Sequence, residues 1–233
     1  MPDPASAAAF YVVFLFSTVL HEAAHAWAAL LGGDRTAYHG GQVSLDPRPH
    51  IKREPFGMVV LPLISVVLSG WPFGFASAPY DPRWAMRFPK RAALMALAGP
   101  AANLAMVLLA ALALRLGFMT GVFEAPESIR FAHVARATGG GLWAAVAFLL
   151  GVFFSLNLVL FALNIIPLPP LDGSAAVPLL LSDRATEKYQ QFLWNQPGLA
   201  WIGILIAWQV FDQIFNPLFL LVVNLLYPGV RYG

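Results

Sequence analysis

The sequence predicts an all-α polytopic membrane protein: about four to six transmembrane helices, with a short membrane-associated β element between the first two core helices. Two observations carry that class. Of 233 residues, 59% are hydrophobic and only 11% charged, whereas soluble domains carry about a quarter charged and under half apolar residues. The excess is also clustered, into apolar runs at 10–31, 92–116, 142–166 and 198–211, and about 20 such residues cross the roughly 30 Å hydrocarbon core. The absence of cysteine excludes both a disulfide framework and a thiolate metal site. A net charge of +2, with the basic residues in loops, gives no footing for nucleic acid. Residues 1–233 read as a single membrane-embedded domain without internal repeats.

The first helix is expected over 8–31. Its leader "MPDPASAAAF" lacks a positive n-region, so it reads as a retained helix and not a cleaved signal peptide. The next region, 40–80, is read as strand and re-entrant structure. "GGQVSLDPRPH" alternates around Val43 and Leu45 and predicts a short strand ending at Asp46-Pro47. "FGMVVLPLISVVL" (56–68) is apolar but short, with Pro62 in its middle, and fits a re-entrant segment better than a span. "WPFGFASAPYDP" (71–82) is again strand-like and closed by prolines. If 56–68 does not cross, Arg35, Arg48, Lys52, Arg53, Arg83, Arg87, Lys90 and Arg91 share one side, which the positive-inside rule makes cytoplasmic.

The helix expected over 92–116 contains "LAGPAANLAM", whose small residues allow close helix approach while Asn103 bonds across a helix-packing interface. Residues 117–141 form an external loop. The helix over 142–166 extends through three prolines to 174, carrying Asn164 and Asp172. After a cytoplasmic loop at 182–197 come C-terminal helices over 198–227, interrupted at Asn216-Pro217. There Gln209, Asp212, Gln213 and Asn216 form a polar stripe. It either lines a water route or lateral gate, or marks the helix end at the interface.

The chemistry is carried by His21-Glu22-Ala23-Ala24-His25, an HExxH motif on an apolar helix. Residues i and i+4 share a helix face, so both imidazoles can reach one Zn²⁺, with Glu22 beside them as general base toward a water on the metal. The competing reading is a chance motif of core histidines. It is weakened because each unpaired ionisable group at membrane depth costs about 2.5 kcal/mol or more. Two imidazoles do not complete a catalytic site, so a third protein ligand is expected. His39, His50 and His133 lie in loops as ordinary solvated side chains. Asp172, in "NIIPLPPLDGS", either points back into the bundle or is an exposed turn residue.

Together, HExxH on an apolar helix, the AGPAAN helix and an LDG segment following Asn164 resemble the site-2 protease family of intramembrane zinc metalloproteases, over roughly residues 8–181. The resemblance implies one Zn²⁺ per chain held by His21, His25 and Asp172, with Glu22 as catalytic base. It gives Asn164 a place near the substrate or oxyanion and Asn103 a place in helix packing. It implies membrane-spanning protein substrates cut in the bilayer in regulated intramembrane proteolysis, in a bacterial inner membrane, with the site nearer the cytoplasm. Neither the PDZ domain nor the CBS pair of many relatives occurs in these 233 residues, so substrate choice would come from the membrane core or another protein. A homo-oligomer or accessory membrane protein is left open. Two other classes compete. A metal transporter needs ligands through both leaflets, and only one cluster is visible; a structural zinc scaffold has no need of Glu22.

Overall fold

The computed structural model describes residues 3–233, and the sequence dictates several of its helix starts in the same way. Asp3-Pro4, Asp46-Pro47 and Asp81-Pro82 each open a helix: the Asp side chain accepts a first-turn amide and the Pro sits at the first helical position. The helices are α1 (Pro4–Gly32), α3 (Pro47–Arg53) and α5 (Pro82–Arg87), with a short α2 (Thr36–His39) between the first two. Gly33, at φ +99°, closes α1 in the left-handed conformation that favours glycine.

Among the described residues, four helices are long and apolar enough to cross a membrane: α1, α6 (Pro89–Met119), α7 (Leu142–Asn164) and α10 (Leu199–Leu226). The protein is a multi-pass membrane protein. Central α6 packs against both α1 and α7. Lys90 and Arg91 tie the start of α6 to the Pro178, Leu181 and Gly32 carbonyls, so those segments share one end of the bundle. At the opposite end Arg115 reaches the Leu226 carbonyl. The Tyr227 hydroxyl donates to the Val134 carbonyl at 2.6 Å.

Residues 56–81 form a hairpin. A π-turn, Phe56–Val60, runs into α4 (Leu61–Ser69); Pro62 cannot donate to Met58, and the widened turn lies just before it. Phe56–Ser69 is too short to span, at about 21 Å. Trp71 at its tip packs on Phe10 and Phe131. The chain then returns past α4 and the π-turn, where Phe73 N–H donates to Ser65 Oγ at 2.7 Å and Phe75 N–H to the Gly57 carbonyl at 3.1 Å. A Cβ at Gly57 or Gly74 would overlap the facing backbone, so both glycines are required by close approach. Ser77 meets Gln42, Arg53 and Glu54, and Asp81 N–H meets Asp34, so the hairpin closes on the side where it began.

The small β element lies elsewhere than expected. Residues 43–45 are bends and 47–53 are helical, because Asp46-Pro47 caps a helix instead of ending a strand. Segment 73–78 has no regular secondary structure and lies outside any sheet. The antiparallel pair is β1 (Phe123–Glu124) with β2 (Arg136–Ala137), in the loop between α6 and α7. The stretch at 182–197 is mostly helical, as α9 (Asp183–Asn195). Asn216-Pro217 does not interrupt α10, which runs through Pro217, so Asp212 lies near its middle and the helix-end reading of the polar stripe is overturned. His50 is buried and bonds the Ser44 carbonyl instead of facing solvent, whereas His39 and His133 are exposed.

Candidate metal centre

Little more than one helical turn of α1 brings His21, Glu22 and His25 to the bundle interior, where all three are buried. Asp172 arrives from the other end of the sequence. It opens α8 (Asp172–Ala176), which begins after the proline-rich turn that follows α7. Gly173 is required there, since a Cβ would overlap the Ile165 and Ile166 carbonyls. A 3₁₀ turn, Val177–Leu180, follows and is held to α6 by Lys90, while the Tyr189 hydroxyl of α9 donates to the Ser174 carbonyl at 2.8 Å.

Asp172 Oδ2 lies 3.0 Å from His21 Nε2 and 3.3 Å from His25 Nε2. The two Nε2 atoms are 2.9 Å apart. Their protons are committed elsewhere. His25 Nδ1 faces the Met95 carbonyl at 2.7 Å, and a carbonyl only accepts, so Nδ1 carries the proton. His21 Nδ1 likewise donates to Asn103 Oδ1 at 2.5 Å. With Nδ1 protonated, a neutral imidazole presents a bare lone pair at Nε2. Two such lone pairs and a carboxylate oxygen, all directed at one point, repel one another unless a cation sits among them. Asp172 Oδ2 and Glu22 Oε2 are moreover buried without a hydrogen-bond partner among the described residues. Two nitrogens and one oxygen match the donor set of a zinc site with a position left for water.

Gly99 of α6 backs the cluster. A Cβ there would overlap both Nε2 atoms, so the AGPAAN segment brings a bare backbone to the imidazoles. Asn103 does more than pack helices, since it is hydrogen-bonded to His21 itself. Asn164 is not brought into the cluster by any bond; its Nδ2 donates back to the Leu160 carbonyl of its own helix at 3.0 Å. Asn157, outside every motif, donates to Ser17 and accepts from Asn103 in the fully buried layer behind His21. Its only sequence signal is an amide amid an apolar helix, a placement that calls for a partner on another helix.

The model of Peptidase family M50 matches residues 9–205. Among curated proteins, the chain is 32% identical over 184 residues to "Putative zinc metalloprotease YwhC" of Bacillus subtilis (strain 168), covering 77% of this chain and 72% of that protein. It is 35% identical over 183 residues to "Putative zinc metalloprotease Rip2" of Mycobacterium tuberculosis (strain ATCC 25618 / H37Rv), covering 77% of this chain and 61% of that one. A Rip2 of Mycolicibacterium smegmatis (strain ATCC 700084 / mc(2)155) is 31% identical, over 70% of this chain and 54% of its own. No solved structure matches significantly.

Proposed function

The chain belongs to Peptidase family M50 and is a zinc metalloendopeptidase, and we propose that His21, His25 and Asp172 hold the zinc while Glu22 moves the proton. The observation that carries this is the convergence of three acceptor atoms, two of them with their protons fixed on the far side of the ring. Bound zinc supplies a Lewis acid that acidifies water and polarises a carbonyl. Glu22 Oε2, buried and unpartnered, takes the proton of the attacking water and passes it to the leaving amide nitrogen. The scissile C–N bond breaks, leaving a carboxylate and an amine. Asn164 serves the oxyanion only if its Nδ2 leaves the Leu160 carbonyl.

The substrate is a membrane-spanning protein whose cleaved segment is unwound. Among the described residues, the amides of Gly74, Ala76 and Ala78 make no backbone hydrogen bond. That leaves the returning arm of the hairpin an edge on which an extended peptide can add as a strand. Segment 41–45, bent and followed by α3, does not offer such an edge. The site lies nearer the cytoplasmic face of a bacterial inner membrane. His25 is about 10 Å from the end of α1 at Gly32, at the bundle end that carries the eight basic residues. A role in regulated intramembrane proteolysis follows from such substrates.

Glu22→Gln tests the reading. Zinc content should stay unchanged, while cleavage of a membrane-spanning substrate falls by about 10²–10⁴-fold and uncut stubs accumulate in membranes. Undiminished cleavage would sink the mechanism.

A further inference from the structure

We propose that Asn157 is a positioning residue for the metal centre: acting through Asn103, it holds the His21 proton on Nδ1 and leaves Nε2 to the zinc. The proposal rests on His21, His25 and Asp172 being the zinc ligands.

The direction of every bond follows from one anchor. The Phe153 carbonyl of α7 can only accept, so the Asn157 atom 2.8 Å from it is Nδ2. Asn157 Oδ1 therefore faces Asn103, and it receives Asn103 Nδ2 at 2.9 Å. Asn103 is then left with Oδ1 toward His21, and only a proton on Nδ1 satisfies that contact. The same Asn157 Nδ2 donates to Ser17 Oγ at 2.9 Å, one turn before His21 on α1, so α7 also grips the helix that bears the ligands. Both asparagines are 0% exposed, so no water competes for these bonds.

The two imidazoles differ in this respect. His25 leans on the Met95 carbonyl, whose polarity no substitution reverses. His21 leans on an amide that reads as acceptor or donor according to a 180° turn. Turned over, Asn103 would present Nδ2 and drive the His21 proton to Nε2, where it occupies the lone pair the metal needs. Asn157 removes that choice.

The test uses the full chain in detergent, with Zn²⁺ affinity measured by chelator competition and the His21 tautomer by ¹⁵N NMR with Zn²⁺ bound. Asn157→Leu keeps the volume but removes the acceptor, and zinc affinity should fall about 10–100-fold. Adding Asn103→Asp, which accepts whichever way it turns, should restore both affinity and the Nδ1 proton. A packing role for Asn157 would not be rescued from position 103. Zinc affinity of Asn157→Leu within about twofold of wild type overturns the proposal, as does a double variant no better than the single. A wild-type His21 carrying its proton on Nε2 also overturns it, and that spectrum decides the matter even if Asn157→Leu fails to fold. A wild type that binds no zinc at all would instead defeat the metal-centre reading beneath it.

Discussion

The two ends of the helix bundle are held by different forces. At the end bearing the candidate metal centre, side chains reach across helices to backbone carbonyls: Lys90 to Pro178 and Leu181, Trp84 and Arg91 to Gly32, Tyr189 to Ser174. At the other end Arg115 and Tyr227 also reach backbone carbonyls, those of Leu226 and Val134, but the loop after β1 is packed chiefly by rings. Phe131 meets Phe10, Trp71, Phe215 and Phe219. Apolar packing tolerates small shifts, whereas a metal site needs donor atoms placed to within about 0.5 Å. The polar end is therefore built for position and the aromatic end for cohesion. Substitutions at one should change zinc affinity with little loss of folding, and at the other the reverse.

The strongest test of that division is Gly99→Ala. One added methyl would overlap both ligand nitrogens, so zinc affinity should drop by about 100-fold, the upper end of what a supporting residue costs. The metal-free protein should lose only about 1–3 kcal/mol of stability, the cost of overpacking one site, because the methyl removes no hydrogen bond. Retained zinc affinity would mean that α6 can back away from the imidazoles and that the polar end is softer than its bonds suggest.

Phe131→Ala probes the aromatic end. Ring pairs contribute about 0.5–1.5 kcal/mol each and not additively, so the loss of four should destabilise the fold by about 2–3 kcal/mol. In a chelator titration the folded fraction should bind zinc as the wild type does. A matching fall in zinc affinity would show that the aromatic end reaches the metal centre, with Trp71 at the hairpin tip as its route.

The same division explains what was legible in the sequence. His21, Glu22 and His25 are conspicuous because the i, i+4 spacing is local and ionisable groups are costly in an apolar run. The prolines and glycine around Asp172 fit an exposed turn as well as an inward-facing ligand, and only the resemblance to the site-2 protease family makes it a ligand. The four long helices follow from apolar length alone. Position 46 misled because Asp-Pro signals both a turn and a capped helix start, and only the following residues decide. Asn216-Pro217 misled because a proline removes one N–H and a membrane helix can continue past it. Asn103 and Asn157 were illegible as a pair because they stand 54 positions apart, and a buried amide's partner is set by packing rather than by spacing. The β pair, two residues per strand, is too short to leave a pattern.

Lys90→Met should give the smallest effect, and it tests whether the polar end acts as a unit. Lys90 Nζ donates to the Pro178 carbonyl at 2.8 Å and to the Leu181 carbonyl at 2.6 Å, closing the turn that follows Asp172. Methionine keeps the stem and loses both bonds. Charged hydrogen bonds contribute about 1.5–3 kcal/mol when buried. Lys90 is only part-buried, so a loss of about 1–2 kcal/mol is expected. That loss falls on the Asp172 segment, because His21 and His25 are held by α6 through Asn103 and the Met95 carbonyl. Zinc affinity should decline several-fold while both histidines keep their Nδ1 protons in ¹⁵N spectra. If the histidine signals shift as well, the ligands are set by one cooperative scaffold. If only affinity moves, Asp172 is positioned independently of the two imidazoles it joins.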